Sequence, residues 1–280
     1  MSRSSADHLT WRQRLFFHVR SRVGLGGPFI NVCLDPERAH TPIDSPTRVV
    51  HADLPAMLVG GVASLLAQML HPVAMRALSE HSRYQDDPLG RLYGTGRFLA
   101  LTTYASKDEA SQAIRMVSRI HHGIVSPPGD PSPYRGDDPA LLAWIHAAEV
   151  AMFLASFQTF GPTPLSPSDA DRYVADMGVT GAALGVAGPP RTVTELLDVL
   201  SGYGPVLELT PQAQEARDFL LAGTPYTGRL RHWFFDRIVE CAISLLDPTH
   251  RSILELPRSR VTRRHHLALR TLRFAGRRDV

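Results

Sequence analysis

Apolar residues recur every three to four positions along most of the chain, and no segment alternates apolar and polar residues over the length of a strand. Capping residues, often followed by proline, stand before several of these segments. The pattern predicts about eight helices: 54–80, 88–104, 107–124, 139–160, one after Ser166 or Ser168, one after Thr192 or Thr194, one after Thr210, and Arg229–Leu246. The sequence therefore predicts an all-α fold.

Glycine and proline divide the chain into parts. They interrupt the first 50 residues repeatedly, and a loop rich in both separates two helical halves at 126–136. A length of 280 residues suits one large domain or two small ones. We expect an irregular segment with short helices over 1–50, one helical domain over 51–250 and a loose basic tail over 251–280.

The basic tail carries the excess of positive charge, with arginines from Arg258 to Arg278 around His265 and His266. This composition predicts a solvated basic surface, with peripheral contact to an anionic membrane as the alternative. The whole chain has 30 basic and 27 acidic residues, a net charge of +3. That balance gives no electrostatic reason to expect a nucleic-acid partner.

One segment approaches the length of a membrane span. Residues 55–75 lack a formally charged side chain, but glycines, a glutamine, a histidine and a proline interrupt the apolar run. We expect a buried core helix there. Residues 1–22 contain five arginines and no long apolar run, which is unlike a secretory signal, so a cytoplasmic location is expected.

The composition is that of a globular protein with one unusual feature. A hydrophobic fraction of 44% beside 20% charged residues is enough to build a buried core. Two cysteines are too few for a disulfide scaffold or a cysteine-rich metal site. The 13 histidines are unusual, and histidine is both a metal ligand and a general acid or base. The histidines are therefore the first candidates for functional residues.

In the helix predicted over 107–124, two adjacent histidines lie on different faces. Ile114, Val117, His121 and Ile124 form one stripe at helical spacing, whereas His122 falls on another side. His121 is therefore expected to face the core. A buried imidazole must bond to a backbone carbonyl or bind a ligand, because an unpaired buried polar group costs about 1–3 kcal/mol. The pattern leaves both readings open.

Two further histidines are candidates for the interior. His146 lies within the long apolar helix, and Glu149 three residues later could accept a hydrogen bond from its ring. Such a pair can be functional or only satisfy itself. His71 precedes Pro72, so it is either part of a site or a histidine that satisfies a helix break.

The helix predicted over 88–104 places Arg91 and Thr95 on one face. An arginine there could bind a carboxylate or phosphate of an anionic cofactor through two hydrogen bonds. Gly94 and Gly96 flank the threonine, each at a cost of about 1 kcal/mol in a helix interior. They suggest that a bulky group approaches this helix, and close packing of another helix would explain them equally well.

Several ordered motifs resemble a known family: HP at 71–72, EHSRY at 80–84, an arginine and a threonine four apart at 91 and 95, IH at 120–121, PYRGDDP at 133–139 and WIH at 144–146. Over about residues 54–200 the chain resembles the MpaB-type oxygenases, which include the catalytic domain of the rubber oxygenase called latex-clearing protein. Several motifs in one order are more specific than any single motif.

The resemblance implies an all-helical, globin-like fold around haem b, with His121 as the proximal iron ligand and therefore the metal ligand. It assigns Arg91 and Thr95 to the site, the arginine beside a propionate. His71 and His81 become candidates for distal roles, with His146 and Glu149 as a supporting pair. The implied activity is the oxidation or cleavage of a hydrophobic, unsaturated substrate with O₂.

The chain departs from the rubber oxygenase pattern at one catalytic position. The rubber oxygenase has a lysine immediately before the threonine, where this chain has Gly94, and no match to its distal glutamate is found. Polyisoprene is therefore not the expected substrate. Two other functions stay open: a non-catalytic haem- or lipid-binding protein on the same scaffold, and a non-haem metal oxygenase built from His71, His121 and His146.

Overall fold

The structure is a computed structural model that describes residues 32–82, 84–222 and 229–275. Within these ranges it contains twelve α-helices and no strand, so the predicted all-α class is confirmed. The helices are α1 Pro46–Ala52, α2 Leu54–Gln68, α3 Pro72–His81, α4 Pro88–Tyr104, α5 Lys107–Gly123, α6 Pro139–Phe160, α7 Pro167–Leu184, α8 Val193–Gly202, α9 Pro211–Leu221, α10 Arg229–Leu245, α11 Pro248–Ile253 and α12 Arg263–Ala275. A globin-like arrangement of these helices stays a prediction.

Most of the predicted helix starts carry the predicted caps. A side-chain oxygen accepts a hydrogen bond from a backbone N–H of the first turn at each of these caps, which satisfies a group that has no partner within the helix. The capping residues include Asp87, Ser106, Asp138, Ser166, Thr192 and Thr210. At the start of α5 the cap is reciprocal, because Glu109 in turn accepts from the backbone N–H of Ser106.

The single helix predicted over 54–80 is wrong, because the chain breaks between α2 and α3. Pro72 has no N–H to continue the ladder of hydrogen bonds, and its ring clashes with a preceding helical turn. The new helix starts at Pro72, and the Nδ1 atom of His71 accepts from the backbone N–H of Ala74 at 3.4 Å. The proline therefore ends one helix and starts the next.

The core forms around α6, which packs most extensively against α2. Trp144 and Phe157 of α6 are almost fully buried. At Gly60 of α2 an added Cβ would lie 2.7 Å from the ring of Phe153, so a side chain larger than hydrogen would separate the two helices. This contact explains why the apolar segment 55–75 is interrupted by glycine.

Helix α6 is long and apolar enough to cross a membrane, and 67% of its most apolar window is buried inside the protein. That burial is the pattern of a core helix. The segment 55–75 is divided between α2 and α3. Helices α1 and α2 together pass the same test, but they meet at an angle of 91°.

The C-terminal residues are packed rather than loose. Helix α12 contacts α2 and α10, and Leu269 is buried in the core. His265, predicted on a solvated surface, is buried, and its Nε2 atom lies 2.6 Å from a carboxylate oxygen of Glu240. Arg273 donates two hydrogen bonds of 2.7 and 2.8 Å to the carboxylate of Asp53. The expectation of a loose tail is wrong for 263–275. The prediction was based on the charged residues alone, whereas the same segment also carries a buried apolar stripe.

Some predictions lie outside what the structure describes. The N-terminal segment was predicted over 1–50, and its first 31 residues are outside the described ranges. From 32 to 45 the chain has no helix, in agreement with an irregular segment. The domain limits at 50 and 250, the cytoplasmic location and membrane contact by the basic tail stay predictions.

Candidate active site

His121 lies in the last turn of α5 and is half-buried. Its Nδ1 atom is buried and has no hydrogen-bond partner in the described part of the chain. Burial lowers the pKa of the ring, and the charge of Asp137 opposes this effect only in part. His121 is therefore a neutral imidazole at neutral pH.

The adjacent histidine faces the other way, as helical spacing predicts. The side chain of His122 is 75% exposed, and its Nδ1 atom lies 2.8 Å from a carboxylate oxygen of Asp137. Arg135 also donates to Asp137, and the two partners lower the pKa of that carboxyl. The charged groups around His122 belong to the surface.

The loop after α5 holds the end of the helix that carries His121. The backbone N–H of Gly136 donates to the carbonyl of Ile124 at 2.8 Å. A Cβ added at Gly136 would lie 2.6 Å from Cβ of Ile124 and 2.8 Å from the carbonyl oxygen of His121. The glycine of the PYRGDDP motif is therefore required for this close contact.

The first half of α4 is largely exposed. Arg91 and Thr95 are exposed, and Arg91 donates to the hydroxyl of Ser82 at 2.8 Å. Desolvation lowers the pKa of the Arg91 guanidinium. An added Cβ at Gly94 or Gly96 would meet no atom within 4 Å. Among the described helices, close packing therefore does not explain these glycines, and the space beside them is open to a bulky ligand.

His146 lies in the middle of α6 against α7. Its ring is so close to Gly181 that an added Cβ there would lie 2.8 Å from Cε1 and 2.9 Å from Nε2. Nε2 is buried and has no partner within the described ranges, and burial lowers the pKa of the ring to about 4. The residue is thus a second neutral, unpaired imidazole of the interior.

Glu149 does not satisfy His146. No hydrogen bond of the described residues joins them, although they are one helical turn apart. Burial raises the pKa of the Glu149 carboxyl to about 7. Within the described ranges the self-satisfied pair that the sequence left open is absent, and Nε2 of His146 is without a partner.

The helices that carry these residues are neighbours. Helix α5, with His121, contacts α4 and α7, and α7 contacts α6, with His146. Arg91 and Thr95 project from α4. The predicted site residues of α4, α5 and α6 thus belong to one set of packed helices, although no direct bond joins them among the described residues.

His71 lies on the other side of α6. Its ring centroid is 6.2 Å from that of Trp144 and 6.0 Å from that of Tyr203. Trp144 and His146 are two residues apart, or about 200° around the helix, so His71 and His146 lie on opposite faces of α6. The structure therefore places His71 as a helix cap in an aromatic cluster.

His81 lies on the surface at the end of α3. Its Nε2 atom is 3.1 Å from the hydroxyl of Tyr134, which donates to the carboxylate of Glu80 at 2.5 Å. Tyr134 belongs to the loop that contacts the end of α5. His81 is therefore linked to His121 only through that loop.

The histidines do not assemble a non-haem metal site. Within the ranges that the structure describes, no group of three or more histidine, cysteine, aspartate or glutamate side chains could hold a metal ion. His71, His121 and His146 in particular are not brought together. The non-haem alternative has no support in this geometry.

The sequence did not predict a buried polar network around His51. His51 of α1 lies 2.7 Å from the hydroxyl of Thr103 and 3.5 Å from the hydroxyl of Tyr173. Burial lowers the pKa of His51 to about 3. Its members come from three helices and share no spacing in the sequence, so only the apolar residues around His51 could have indicated an interior position.

Large apolar side chains are exposed beside the predicted site. Leu92 follows Arg91 and is 38% exposed, and Ile120 precedes His121 and is 57% exposed. Met116 stands one turn before Ile120 and is also exposed. Exposed apolar groups next to a polar site are typical of surfaces that bind hydrophobic ligands.

Comparison with known families gives one match that covers most of the chain. The family described as "ER-bound oxygenase mpaB/B'/Rubber oxygenase, catalytic domain" matches residues 48–277. No curated protein and no solved structure matches the chain. The match starts within α1, extends beyond the end of α12 and includes every site residue described above. The chain belongs to the family of MpaB and rubber oxygenase catalytic domains, and it is an oxygenase by that membership.

Proposed function

We propose that the protein is a haem b-dependent oxygenase that uses O₂ to oxidise or cleave a hydrophobic, unsaturated substrate. The observation that carries the proposal is the imidazole of His121, which is half-buried, neutral and without a partner from the described residues at its buried Nδ1 atom. An unpaired buried polar group is costly, so its presence favours a ligand that uses the ring.

The residues present fit a haem group. His121 offers a neutral ring nitrogen, the form that binds iron. Arg91 offers a permanent positive charge for a propionate. The open space at Gly94 and Gly96 leaves room for the edge of a flat ring. When bound, haem supplies the iron at which O₂ reacts.

The protein's own groups hold and orient the reactants. Burial lowers the pKa of His121 and keeps its ring neutral, although the charge of Asp137 opposes this effect in part. Ser82 fixes the guanidinium of Arg91, and Thr95 presents a hydroxyl one turn further along α4. Leu92 and Ile120 give the apolar contact that a hydrocarbon substrate requires. Gly94 stands where the rubber oxygenase has a lysine and has no side-chain amine, so the proposed substrate is not polyisoprene.

Haem binding by variants of the two adjacent histidines tests the proposal. The purified protein should show a Soret band, or gain one when hemin is added. His121→Ala should lose the band and His122→Ala should keep it, because the ring of His122 points to solvent. Protein that stays colourless with hemin, or a band that depends on His122 instead, would overturn the assignment.

A non-catalytic binding protein is the second candidate, favoured by Gly94 at the position of the rubber oxygenase lysine. It would also show the Soret band. Oxygen uptake with unsaturated hydrocarbons of different chain length separates the two functions: uptake above that of His121→Ala supports the enzyme, and stoichiometric haem binding without uptake supports the binding protein.

A further inference from the structure

We propose that Tyr134 is a positioning residue of the site. It connects the loop that follows His121 to the end of α3, and the same end of α3 binds Arg91. The connection therefore fixes the imidazole of His121 relative to the guanidinium of Arg91. The inference rests on the proposed function, which assigns the iron to the first of these two residues and a propionate to the second.

The side chain of Tyr134 is held by the last two turns of α3. The residue is 7% exposed, and its hydroxyl donates to the carboxylate of Glu80 at 2.5 Å. The Nε2 atom of His81 lies 3.1 Å from the same hydroxyl oxygen. The Cζ atom of Arg76, one turn earlier in α3, lies 5.1 Å from the centroid of the tyrosine ring, within the range of a cation–π contact. Three residues of α3 thus contact this one side chain.

Arg76 attaches a second point of the same loop to α3. Its guanidinium is bonded to the carboxylate of Asp130, whose side chain is 3% exposed, and donates to the carbonyl of Ser132 at 3.1 Å. The hydrogen bonds from Arg76 lower the pKa of the Asp130 carboxyl, so it is ionised at neutral pH. The loop is therefore attached to α3 on both sides of Ser132.

Backbone hydrogen bonds extend from Tyr134 to the last turn of α5. The N–H of Tyr134 donates to the hydroxyl of Ser126 at 3.2 Å, and its carbonyl accepts from the N–H of Ser126 at 3.1 Å. Two residues further along, the N–H of Gly136 donates to the carbonyl of Ile124 at 2.8 Å. The N–H of Ile124 in turn donates to the carbonyl of His121 at 3.1 Å. A displacement of Tyr134 is thereby passed to the backbone of His121.

Arg91 is held by the next residue of the same helix end. Ser82 follows directly after the two residues that bond to the hydroxyl of Tyr134, and it is the C-cap of α3. Its hydroxyl accepts a hydrogen bond of 2.8 Å from Arg91. Three consecutive residues of the chain, 80–82, therefore hold both the arginine of α4 and the loop behind the histidine of α5.

The ring of His121 needs this support because no bond from the described residues reaches its Nδ1 atom. A histidine that binds a metal is usually oriented by a hydrogen bond at its second ring nitrogen, and loss of such an outer contact weakens metal binding by about 10-fold to 100-fold. In this chain the direction of the ring depends on the backbone of the last turn of α5, which the loop holds. Tyr134 thus serves in place of a direct partner.

Hydrogen exchange of the haem-free full chain tests the connection without a ligand. Tyr134→Phe removes the hydroxyl and keeps the ring, so the backbone amides of residues 119–124 should exchange about 10-fold faster than in wild type. Tyr104→Phe is the matched control, because Tyr104 is also buried and its hydroxyl donates to the carbonyl of Arg48 at 2.9 Å. The control should keep the wild-type exchange at 119–124. Equal exchange at 119–124 in the two variants would overturn the inference.

Retention of hemin by the reconstituted protein tests the consequence for the site. The rate at which hemin passes to a haem scavenger should rise about 10-fold to 100-fold in Tyr134→Phe, with a shifted Soret maximum, because the ring of His121 is displaced. A contact that only stabilises the fold would lower the free energy of unfolding and leave both spectral readouts of the folded protein unchanged. Tyr104→Phe should show that second pattern. The same pattern in Tyr134→Phe would contradict the positioning role.

A conservative pair at Arg76 gives an independent test, also if Tyr134→Phe fails to fold. Arg76→Lys keeps a positive charge beside Asp130, whereas Arg76→Gln removes it, so the lysine variant should lose hemin more slowly than the glutamine variant. Equal rates would count against the attachment to α3. A wild-type protein without a Soret band would refute the haem proposal alone, because the exchange measurement on the haem-free chain still decides whether Tyr134 holds the loop.

Discussion

The imidazole of His146 occupies the volume in which a Cβ atom at position 181 would stand, with ring atoms 2.8–3.0 Å from that point. Helices α6 and α7 therefore approach one another at a glycine that fixes the ring. Gly181→Ala should displace the imidazole. The overpacking penalty of about 1–3 kcal/mol exceeds the gain of about 0.5–1 kcal/mol that alanine brings to a helix, so urea unfolding should show a net loss of stability of about 1 kcal/mol.

Gly94→Ala is the matched control, because an added methyl group there meets no atom within 4 Å. The haem-free protein with this substitution should gain about 1 kcal/mol in the same assay. Equal effects of the two substitutions would show that the close contact at Gly181 does not constrain the ring.

Gly136→Ala should weaken haem binding without touching a ligand. Its Cβ would collide with Ile124 and with the carbonyl oxygen of His121, so the last turn of α5 must shift. The Soret absorbance should then saturate at higher hemin concentration than in wild type. Gly123→Ala, where nothing lies within 4 Å of the added Cβ, should bind hemin as wild type does. A normal titration for Gly136→Ala would contradict the role given to the loop.

His51 should make the protein sensitive to acid. Its pKa is about 3 in the folded state, against about 6.5 in the unfolded chain, so the unfolded state binds more protons between these values. The stability that this neutral imidazole contributes is complete above pH 6.5 and is lost as the pH falls towards 3. The free energy of unfolding should decrease over this range, and less steeply in His51→Asn.

At pH 7 the same substitution should cost about 1–3 kcal/mol, because the hydroxyls of Thr103 and Tyr173 lose their partner. His122→Asn is the control at an exposed position and should keep the wild-type slope. If His51→Asn has the wild-type pH dependence, the imidazole is not held neutral by burial.

Arg273→Ala should destabilise the whole protein, because Arg273 joins α12 to a residue 220 positions earlier in the chain. The carboxylate of Asp53 is nearly buried and would lose the only guanidinium that the described structure places on it. Breaking such a pair costs about 3 kcal/mol. Arg270→Ala, at an exposed position of the same helix, should change the free energy of unfolding by less than about 0.5 kcal/mol.

Local patterns in the sequence predict the helices and the inward direction of His121. Ser106 with Glu109 marks the start of α5 through a contact within one turn, and the stripe of Ile114 and His121 follows from helical spacing alone. These features depend on residues that are near one another in the chain. They can therefore be read without knowing what packs against them.

The missed features depend on contacts between distant segments. Two of them join separate helices: the bond between His51 and Thr103, and the contact between His146 and Gly181. Spacing along the sequence therefore does not predict them. For His71 the sequence left two interpretations open, a site residue or a histidine that satisfies a helix break, and in the structure its side chain caps α3 and packs beside Trp144. The separation of this residue from His146 follows from the path of α6 through the core.

The bond between Asp53 and Arg273 also constrains the order of folding. It joins residues 220 positions apart, and Arg273 further donates to the carbonyl of Phe160. During synthesis from the N-terminus, α1, α2 and α6 are made long before the arginine that neutralises the carboxylate at their junction. The carboxylate of Asp53 therefore stays in contact with water until α12 has been made, and the junction of α1, α2 and α6 closes only when α12 docks on it.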